Sequence, residues 1–341
     1  MVYSTQKVII AVDAMGGDNA PGSVIEGVKL FLAAHPEAGV RVFGKTELLG
    51  GLKNEARVEI IDCRDEITMH DEPMMAVRRK PDSSLVRGLR DVKEGLSQAF
   101  VSAGSTGALF IGAMVTLRML KGISRPALAP VLPGLNAPFL LIDSGANADC
   151  QSAYLKQFGL MGSVYMNWVM GVEDPKVGLV NIGVEEEKGS KLYKDAFKLM
   201  SEQSVYTFAG NCEAREIQKG DFDVVVADGF TGNVILKYAE GFASCMMKVI
   251  KREILSTFRG KLGGLMLKPA FKNVKKQLTT DEYGGAPLLG VDGVVVKAHG
   301  SSGGYAFSKA LEQTLQMVSS GMLDKLKDGI NKMEATQNDK D

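Results

Sequence analysis

The sequence predicts an α/β protein built on a doubly wound, mostly parallel sheet, with a helical hairpin projecting from it. Three observations carry this expectation. Six short apolar runs each end in a loop of Gly, Ser, Thr, Asn and Asp. Helix-like stretches separate the runs, which is the alternation of βα units. One long amphipathic stretch, Asn233–Gly260, departs from that alternation. Fully apolar runs bounded by glycine suit strands buried on both faces, as parallel strands are. In one such sheet the loops gather along a single edge, where open α/β folds bind ligands.

Taken in chain order, Val8–Val12 leads into Asp13-Ala-Met-Gly-Gly-Asp18 and a helix over Ala20–Ala34, with Pro21 suited to an early helical position. Ala99–Val101 leads into Ser102-Ala-Gly-Ser-Thr-Gly107 and a helix over Thr106–Leu120. The uncharged stretch Gly95–Leu117 is long enough to span a bilayer, but four glycines and several hydroxyl side chains break it. A strand, a loop and a buried helix explain it better. Phe139–Ile142 leads into Asp143–Asp149 and a helix over Asp149–Met170; Val177–Val180 leads into Asn181–Gly189 and a helix over Lys188–Glu202. Asp223–Ala227 ends in Asp228-Gly-Phe-Thr-Gly-Asn233, and Val294–Val296 in Lys297-Ala-His-Gly-Ser-Ser302.

Within Asn233–Gly260, Ile235, Tyr238, Phe242, Met246, Val249, Ile250, Ile254 and Phe258 recur at helical spacing. A turn over Gly260–Leu267 and a second helix over Pro269–Leu278 complete the hairpin. The domain reading is one α/β domain over 1–330, the hairpin at about 234–278, and a polar, frayed tail over 331–341.

Composition narrows the function. Forty basic residues balance forty acidic ones in 341, so no global field points to nucleic acid. The cysteines at 63, 150, 212 and 245 are scattered without a C-x-x-C pair, which suits a reducing compartment and no structural zinc. The first apolar run is too short for a signal-peptide core, so a cytoplasmic protein is expected. G-x-G-x-x-G and H-E-x-x-H are missing. Glycine-rich loops ahead of helices cradle anions. With no dinucleotide fingerprint or H-E-x-x-H metal motif, they fit a reaction in which bound phosphate is itself the nucleophile.

The loops resemble those of PlsX-type phosphate acyltransferases. The matching segments are Val12–Asp18, Ser102–Ala108, Gly122-Ile-Ser-Arg-Pro126, Asp143–Asn147, Asn181–Gly189, Asp228–Asn233, Gly284-Gly-Ala-Pro-Leu-Leu-Gly290 and His299-Gly-Ser-Ser302. They run in order from Lys7 to Gly321. Ser105 stands where that family commonly has Asn, and Ala214 where it has Gly. The resemblance implies a fold like that of isocitrate and isopropylmalate dehydrogenases and phosphotransacetylases, usually a homodimer. It implies conversion of acyl-acyl carrier protein and inorganic phosphate into acyl phosphate and free carrier protein, with no cofactor or metal. A membrane-bound glycerol-3-phosphate acyltransferase then uses the product.

Candidate roles follow. Ser102, Gly104, Ser105, Thr106 and Gly107, with Thr231 and Gly232, offer hydroxyls and N–H groups to phosphate, or else only cap helices. Lys188, His299, Asn233 and Asn147 are the catalytic candidates. Lys188 would neutralise phosphate or polarise the carbonyl, or else pair with Glu185, Glu186 or Glu187; His299 would protonate the leaving thiolate or hydrogen-bond phosphate, or else be structural; Asn147 would orient the carbonyl or satisfy its own loop. Asp13, Gly16, Gly17, Asp18, Asp143 and Asp228 shape the loops. Arg78, Arg79, Lys80, Arg87 and Arg90 form a candidate docking face for an acidic carrier protein, or a solvated helix face. Between Lys248 and Lys276 nine basic residues face one acid, Glu253, around Leu262, Leu265, Met266 and Leu267. That pattern suits a tip that meets an anionic membrane peripherally, or one that packs on a second subunit. Rival readings are a coenzyme A phosphotransacetylase, a metal- and nicotinamide-dependent dehydrogenase, and a non-catalytic phosphometabolite sensor.

Overall fold

The computed structural model describes residues 8–278 and 282–338. In chain order the strands are β1 (Val8–Asp13), β2 (Ala38–Gly44), β3 (Val58–Asp62), β4 (Ala99–Ser102), β5 (Ala127–Leu128) and β6 (Val131–Leu132). Then come β7 (Phe139–Ile142), β8 (Lys176–Asn181), β9 (Thr207–Glu213), β10 (Val224–Val226), β11 (Ala286–Leu289) and β12 (Val294–Lys297). The helices are α1 (Gly22–Ala34), α2 (Pro73–Arg79), α3 (Ser84–Lys93), α4 (Thr106–Thr116) and α5 (Ser152–Trp168). They continue with α6 (Lys191–Ser201), α7 (Gly229–Leu255), α8 (Phe258–Leu278), α9 (Gly304–Ser319) and α10 (Met322–Asn338).

Each of the six apolar runs is a strand, but they divide between two sheets instead of sharing one edge. A seven-stranded sheet runs β3-β2-β1-β4-β12-β11-β5, and a five-stranded sheet runs β6-β7-β10-β8-β9. Pairing is parallel except at β11, which is antiparallel to β12 and β5, and at β6 against β7. The chain changes sheets within two residues. Ala129 N–H still donates to Pro287 of the first sheet, whereas Pro130 O already accepts from Leu141 of the second. Proline has no N–H with which to continue the first ladder, so the break falls there.

Both faces of the sheets are buried. Ile10 and Val12 of β1 join a core that also takes Leu140, Ile142, Val224 and Val226 from the second sheet. Ala11, Phe43 and Phe100 point the other way, into a layer with Leu85, Leu89 and Leu109 of α3 and α4. Val225 and Leu141 form a third layer on the far side of the smaller sheet. Burial on both faces is why these strands read as unbroken apolar runs.

Two local expectations give way. The Gly260–Leu267 segment is helical, not a turn, and Pro269 lies inside α8. The chain reverses at Ser256 and Thr257, where Thr257 Oγ1 accepts from Gly260 N–H at 3.0 Å. The glycines serve helix packing: a Cβ on Gly264 would sit 2.7 Å from Ile254 Cγ2 of α7. At the C-terminus α10 stays helical through Asn338, with Ile330 and Met333 buried, where a polar tail was expected from 331. Residues 339–341 lie outside the described residues.

Candidate active site

Three of the six loops follow β1, β4 and β12, which are parallel neighbours in the larger sheet. Their convergence is therefore dictated by strand order. Asp13, at the end of β1, is buried and accepts from Ser84 Oγ at 2.6 Å, Ser102 Oγ at 2.7 Å and Met15 N–H at 3.1 Å. Ser102 Oγ in turn accepts from Gly104 N–H at 3.0 Å. The Asp13–Asp18 and Ser102–Gly107 loops touch backbone to backbone, since a Cβ on Gly16 would lie 2.6 Å from Gly104 N. Asp18 N–H donates to Gly300 O at 2.8 Å, which ties in the third loop.

Beneath these loops lies Lys297, the last residue of β12, which no sequence motif had marked as functional. Its ammonium donates to Ala103 O and Ala298 O, both backbone carbonyls. An ammonium carries three donors, so one remains for a ligand. Burial pulls its pKa down to about 8, against the attraction of Asp13 and Asp18, and Lys237 of α7 adds repulsion. A charge closing an apolar strand was the sequence signal for this residue. Above it Ser105 caps α4, its Oγ accepting from Ala108 N–H at 3.4 Å. Thr106 is exposed and Gly107 half-buried at the start of that helix, where the N–H dipoles favour an anion.

His299 is exposed in the third loop. Its Nδ1 accepts from Ser301 N–H at 3.3 Å and lies 2.9 Å from Ser301 Oγ. A neutral ring so held carries its proton on Nε2.

The other three loops follow β7, β10 and β8, parallel neighbours in the smaller sheet. Asp143 is fully buried and accepts from the N–H groups of Leu128, Gly145, Ala146 and Asn147 and from Asn147 Nδ2. Burial raises its pKa against those hydrogen bonds. Asp228 caps α7, accepting from Thr231 N–H at 2.9 Å, Thr231 Oγ1 at 2.7 Å and the Tyr193 hydroxyl. The helix is set hard against the neighbouring loop: Gly229 N–H donates to Asn147 O at 2.8 Å, and a Cβ on Gly232 would lie 1.9 Å from Asp143 O.

Several sequence candidates are already committed to the scaffold. Ser102 and Gly104 are spent on Asp13 and on each other, so they brace the Ser102–Gly107 loop from within. Thr231 N–H and hydroxyl both serve Asp228, and Gly232 N–H bonds Asp228 O. Both Asn147 amide hydrogens are used, on Pro126 O at 2.8 Å and Asp143 at 2.9 Å. What stays accessible is Thr106, Gly107 and His299 in the loops of the larger sheet, and Asn233 and Lys188 in those of the smaller. Asn233 is exposed on α7 and faces Gly145. Lys188 is exposed in the loop before α6, where its carbonyl accepts from Asn181 Nδ2 at 3.1 Å.

From this region a cleft of about 1020 Å³ extends between α7 and α8, with His299, Ser301, Ser302 and Gly303 in its wall. Leu262, Leu265, Met266 and Leu267 lie along α8 and are 51–80% exposed, not gathered at a loop. Among the described residues no helix is long and apolar enough to cross a membrane.

Comparison with known proteins adds to this geometry. The family model described as Fatty acid synthesis protein matches residues 8–325. A phosphate acyltransferase from Clostridium tetani (strain Massachusetts / E88) is 47% identical over 330 residues, covering 95% of this chain and 98% of that protein. One from Clostridium acetobutylicum is 47% identical over 323 residues, covering 93% and 97%. Among solved structures, a phosphotransacetylase from Streptococcus pyogenes matches with a TM-score of 0.62 at 15% identity, over 92% of this chain and 94% of that one. A 4-hydroxythreonine-4-phosphate dehydrogenase from Klebsiella pneumoniae matches with a TM-score of 0.53 at 12% identity, over 92% and 100%. At such identities the structural likeness concerns the fold alone.

Proposed function

Because the chain belongs to the fatty acid synthesis protein family of phosphate acyltransferases, we propose that it moves a fatty acyl group from acyl carrier protein to inorganic phosphate. The chain is thus an acyltransferase of fatty acid synthesis; the donor, the mechanism and the partners are the finer reading. A phosphate oxygen attacks the thioester carbonyl, the tetrahedral oxyanion collapses, and the C–S bond breaks. The carrier thiolate takes up a proton, and the acyl phosphate departs.

The observation that carries this reading is the buried Lys297 amine beneath the α4 N-terminus. Two of its N–H groups are tied to backbone and one is left for an anion. Lys297, Ser105, Thr106 and Gly107 hold phosphate in a fixed attitude, which is most of what this reaction needs. His299 Nε2–H supplies a proton or a hydrogen bond, while Lys188 and Asn233 face the thioester from the second sheet. No acyl-enzyme is invoked. Burial pushes the Cys63 and Cys212 thiols up to about 12 and Cys150 to about 11, which makes them poor nucleophiles.

The docking face for an acidic carrier protein contracts. Lys80 and Arg87 are paired with Asp71 and Asp82 at 2.7 and 3.0 Å, which leaves Arg78, Arg79 and Arg90 exposed. Arg78 and Arg79 share α2 with exposed Met74 and Met75, and Pro73 of that helix packs against Gly107. A carrier protein seated there would stand beside the phosphate loop. Exposed Phe230, Val234, Tyr238 and Phe242 form a stripe along α7 that suits a second copy of the chain, hence a homodimer. The exposed apolar residues of α8, amid lysines, suit an anionic membrane surface. A cytoplasmic enzyme seated peripherally there would pass acyl phosphate to a membrane-bound glycerol-3-phosphate acyltransferase.

The deciding assay follows free carrier thiol after mixing enzyme, acyl-carrier protein and phosphate. Phosphate-dependent thiol release with sequential kinetics is expected. Release from acyl-coenzyme A alone would point to the phosphotransacetylase reading, and a stoichiometric acyl-enzyme on any Ser or Cys would refute direct attack. For the membrane, Leu265→Glu/Leu267→Glu should no longer sediment with anionic liposomes while keeping its oligomeric state.

A further inference from the structure

We infer that the cleft between α7 and α8 is the seat of the fatty acyl chain, with the reacting carbonyl at the His299–Gly303 loop. The inference rests on the acyl-transfer reading and deepens it by giving the chain a place.

Three observations support it. The first is the lining. Met247, Ile250, Ile254 and Leu255 of α7 and Leu265 and Phe271 of α8 line the cleft, which closes where Ile254 packs on Gly264. The polar atoms come from His299, Ser301 and Ser302 of the loop, from Glu240 and Ser244 at the inner end of the α7 wall, and from lysines 248, 251, 261 and 268, whose long stems reach water. An apolar trough joined to hydroxyls and an imidazole matches a hydrocarbon that ends in a carbonyl and a phosphate.

The second is size and direction. At about 1020 Å³ the cleft stands at the top of the usual range for small-molecule sites, roughly 300–1,000 Å³. Its α7 wall runs from Glu240 to Leu255, about 22 Å at 1.5 Å per residue, the length of a long-chain acyl group. The inner end of the cleft, at Glu240, shares its wall with the His299–Gly303 loop that follows Lys297, and Lys237 one turn earlier adds repulsion at that amine. The chain therefore runs outward from the reacting end toward the α7–α8 turn.

The third is that α7 carries a different face for a second copy. Phe230, Val234, Tyr238 and Phe242 line none of the cleft and are 52–70% exposed, and Tyr238 stacks on Phe242 with ring centroids 5.9 Å apart. A self-association surface and a ligand trough can share the helix without competing.

The test measures binding apart from turnover. cis-Parinaric acid is bound to the full-length protein and displaced with octanoate, laurate or palmitate. About 0.8 kcal/mol per buried methylene corresponds to roughly fourfold tighter binding for each, so affinity should climb steeply from octanoate to laurate. Ala243→Trp, which fills the trough, and Met247→Gln, which only makes it polar, should each weaken palmitate at least tenfold with unchanged circular dichroism and oligomeric state. Each should also cut transfer of palmitoyl groups while sparing butyryl groups. Equal affinity for all three acids, or wild-type palmitate binding in both variants, overturns the proposal. So does loss of the oligomer with palmitate binding intact, which would give the cleft to a second copy. If palmitate binds and the variants block it but no donor is turned over, the trough stands and the acyl-transfer reading falls.

Discussion

Replacing Lys297 by Met should make the protein more stable and less active together. An amine held at about 8 instead of 10.5 costs about 3 kcal/mol to keep protonated at neutral pH. Its donor bonds to Ala103 O and Ala298 O return about 1 kcal/mol each. Met fills similar volume without the charge, so unfolding at pH 7 should become harder by about 1 kcal/mol. The pH dependence is the sharper signature. The unfolded chain keeps this proton up to about 10.5, whereas the native protein releases it near 8. The unfolded state therefore binds more protons between those values, and wild-type stability gains from this group as pH rises across them. In Lys297→Met that gain disappears. Phosphate kcat/KM should fall on the order of 100-fold, and the wild-type decline above pH 8 should vanish with the amine. Urea unfolding at several pH values, with initial rates at varied phosphate, reads all three quantities. A variant that is less stable at pH 7, keeps the wild-type pH slope and turns over normally would refute the reasoning.

Lys188→Ala should lower kcat/KM for phosphate by about 3 kcal/mol equivalent with little change in Tm, because the residue is exposed; normal phosphate kinetics would return it to surface chemistry. Gly232→Ala should destabilise by at least about 3 kcal/mol or displace α7, since its Cβ would lie 1.9 Å from Asp143 O; thermal unfolding measures this. With all four cysteines replaced by Ser or Ala the enzyme should keep substantial activity, and in wild type iodoacetamide should label exposed Cys245 first, by peptide mass.

The strands were legible in the sequence because burial on both faces leaves them no polar residues. Val8–Val12, Phe139–Ile142 and Val294–Val296 needed almost no revision. The division into two sheets was not legible, because Ala127–Leu132 spends only two residues on each of β5 and β6. The hairpin helices were visible from their spacing, but Gly260, Gly263 and Gly264 mimic a turn. Glycine writes the same letter for chain reversal and for close helix contact, and only the neighbouring Ile254 decides which. The sequence marked the loops that converge after β1, β4 and β12, and blurred the roles within them. Ser102 and Asn147 look like ligand groups, yet Asp13 and Asp143 take their hydrogen atoms. Lys297 was hidden for the converse reason: its neighbours are apolar, and the carboxylates that steady it are hundreds of residues away in the chain.

The seating of α7 against Asp143 also has a mechanical side. The helix spans 27 residues, about 40 Å at 1.5 Å each, and Gly232 near its base leaves no clearance for sliding. Its geometry is that of a lever whose fulcrum adjoins the Asp143–Asn147 loop. Lys237 lies about 7 Å from that fulcrum along the axis, and Leu255 about 35 Å. A sideways excursion at the far end therefore reaches Lys237 at about one fifth of its amplitude, so roughly 5 Å of travel arrives as about 1 Å. The far ends of α7 and α8 can therefore shift while the loops at the base of α7 stay nearly still.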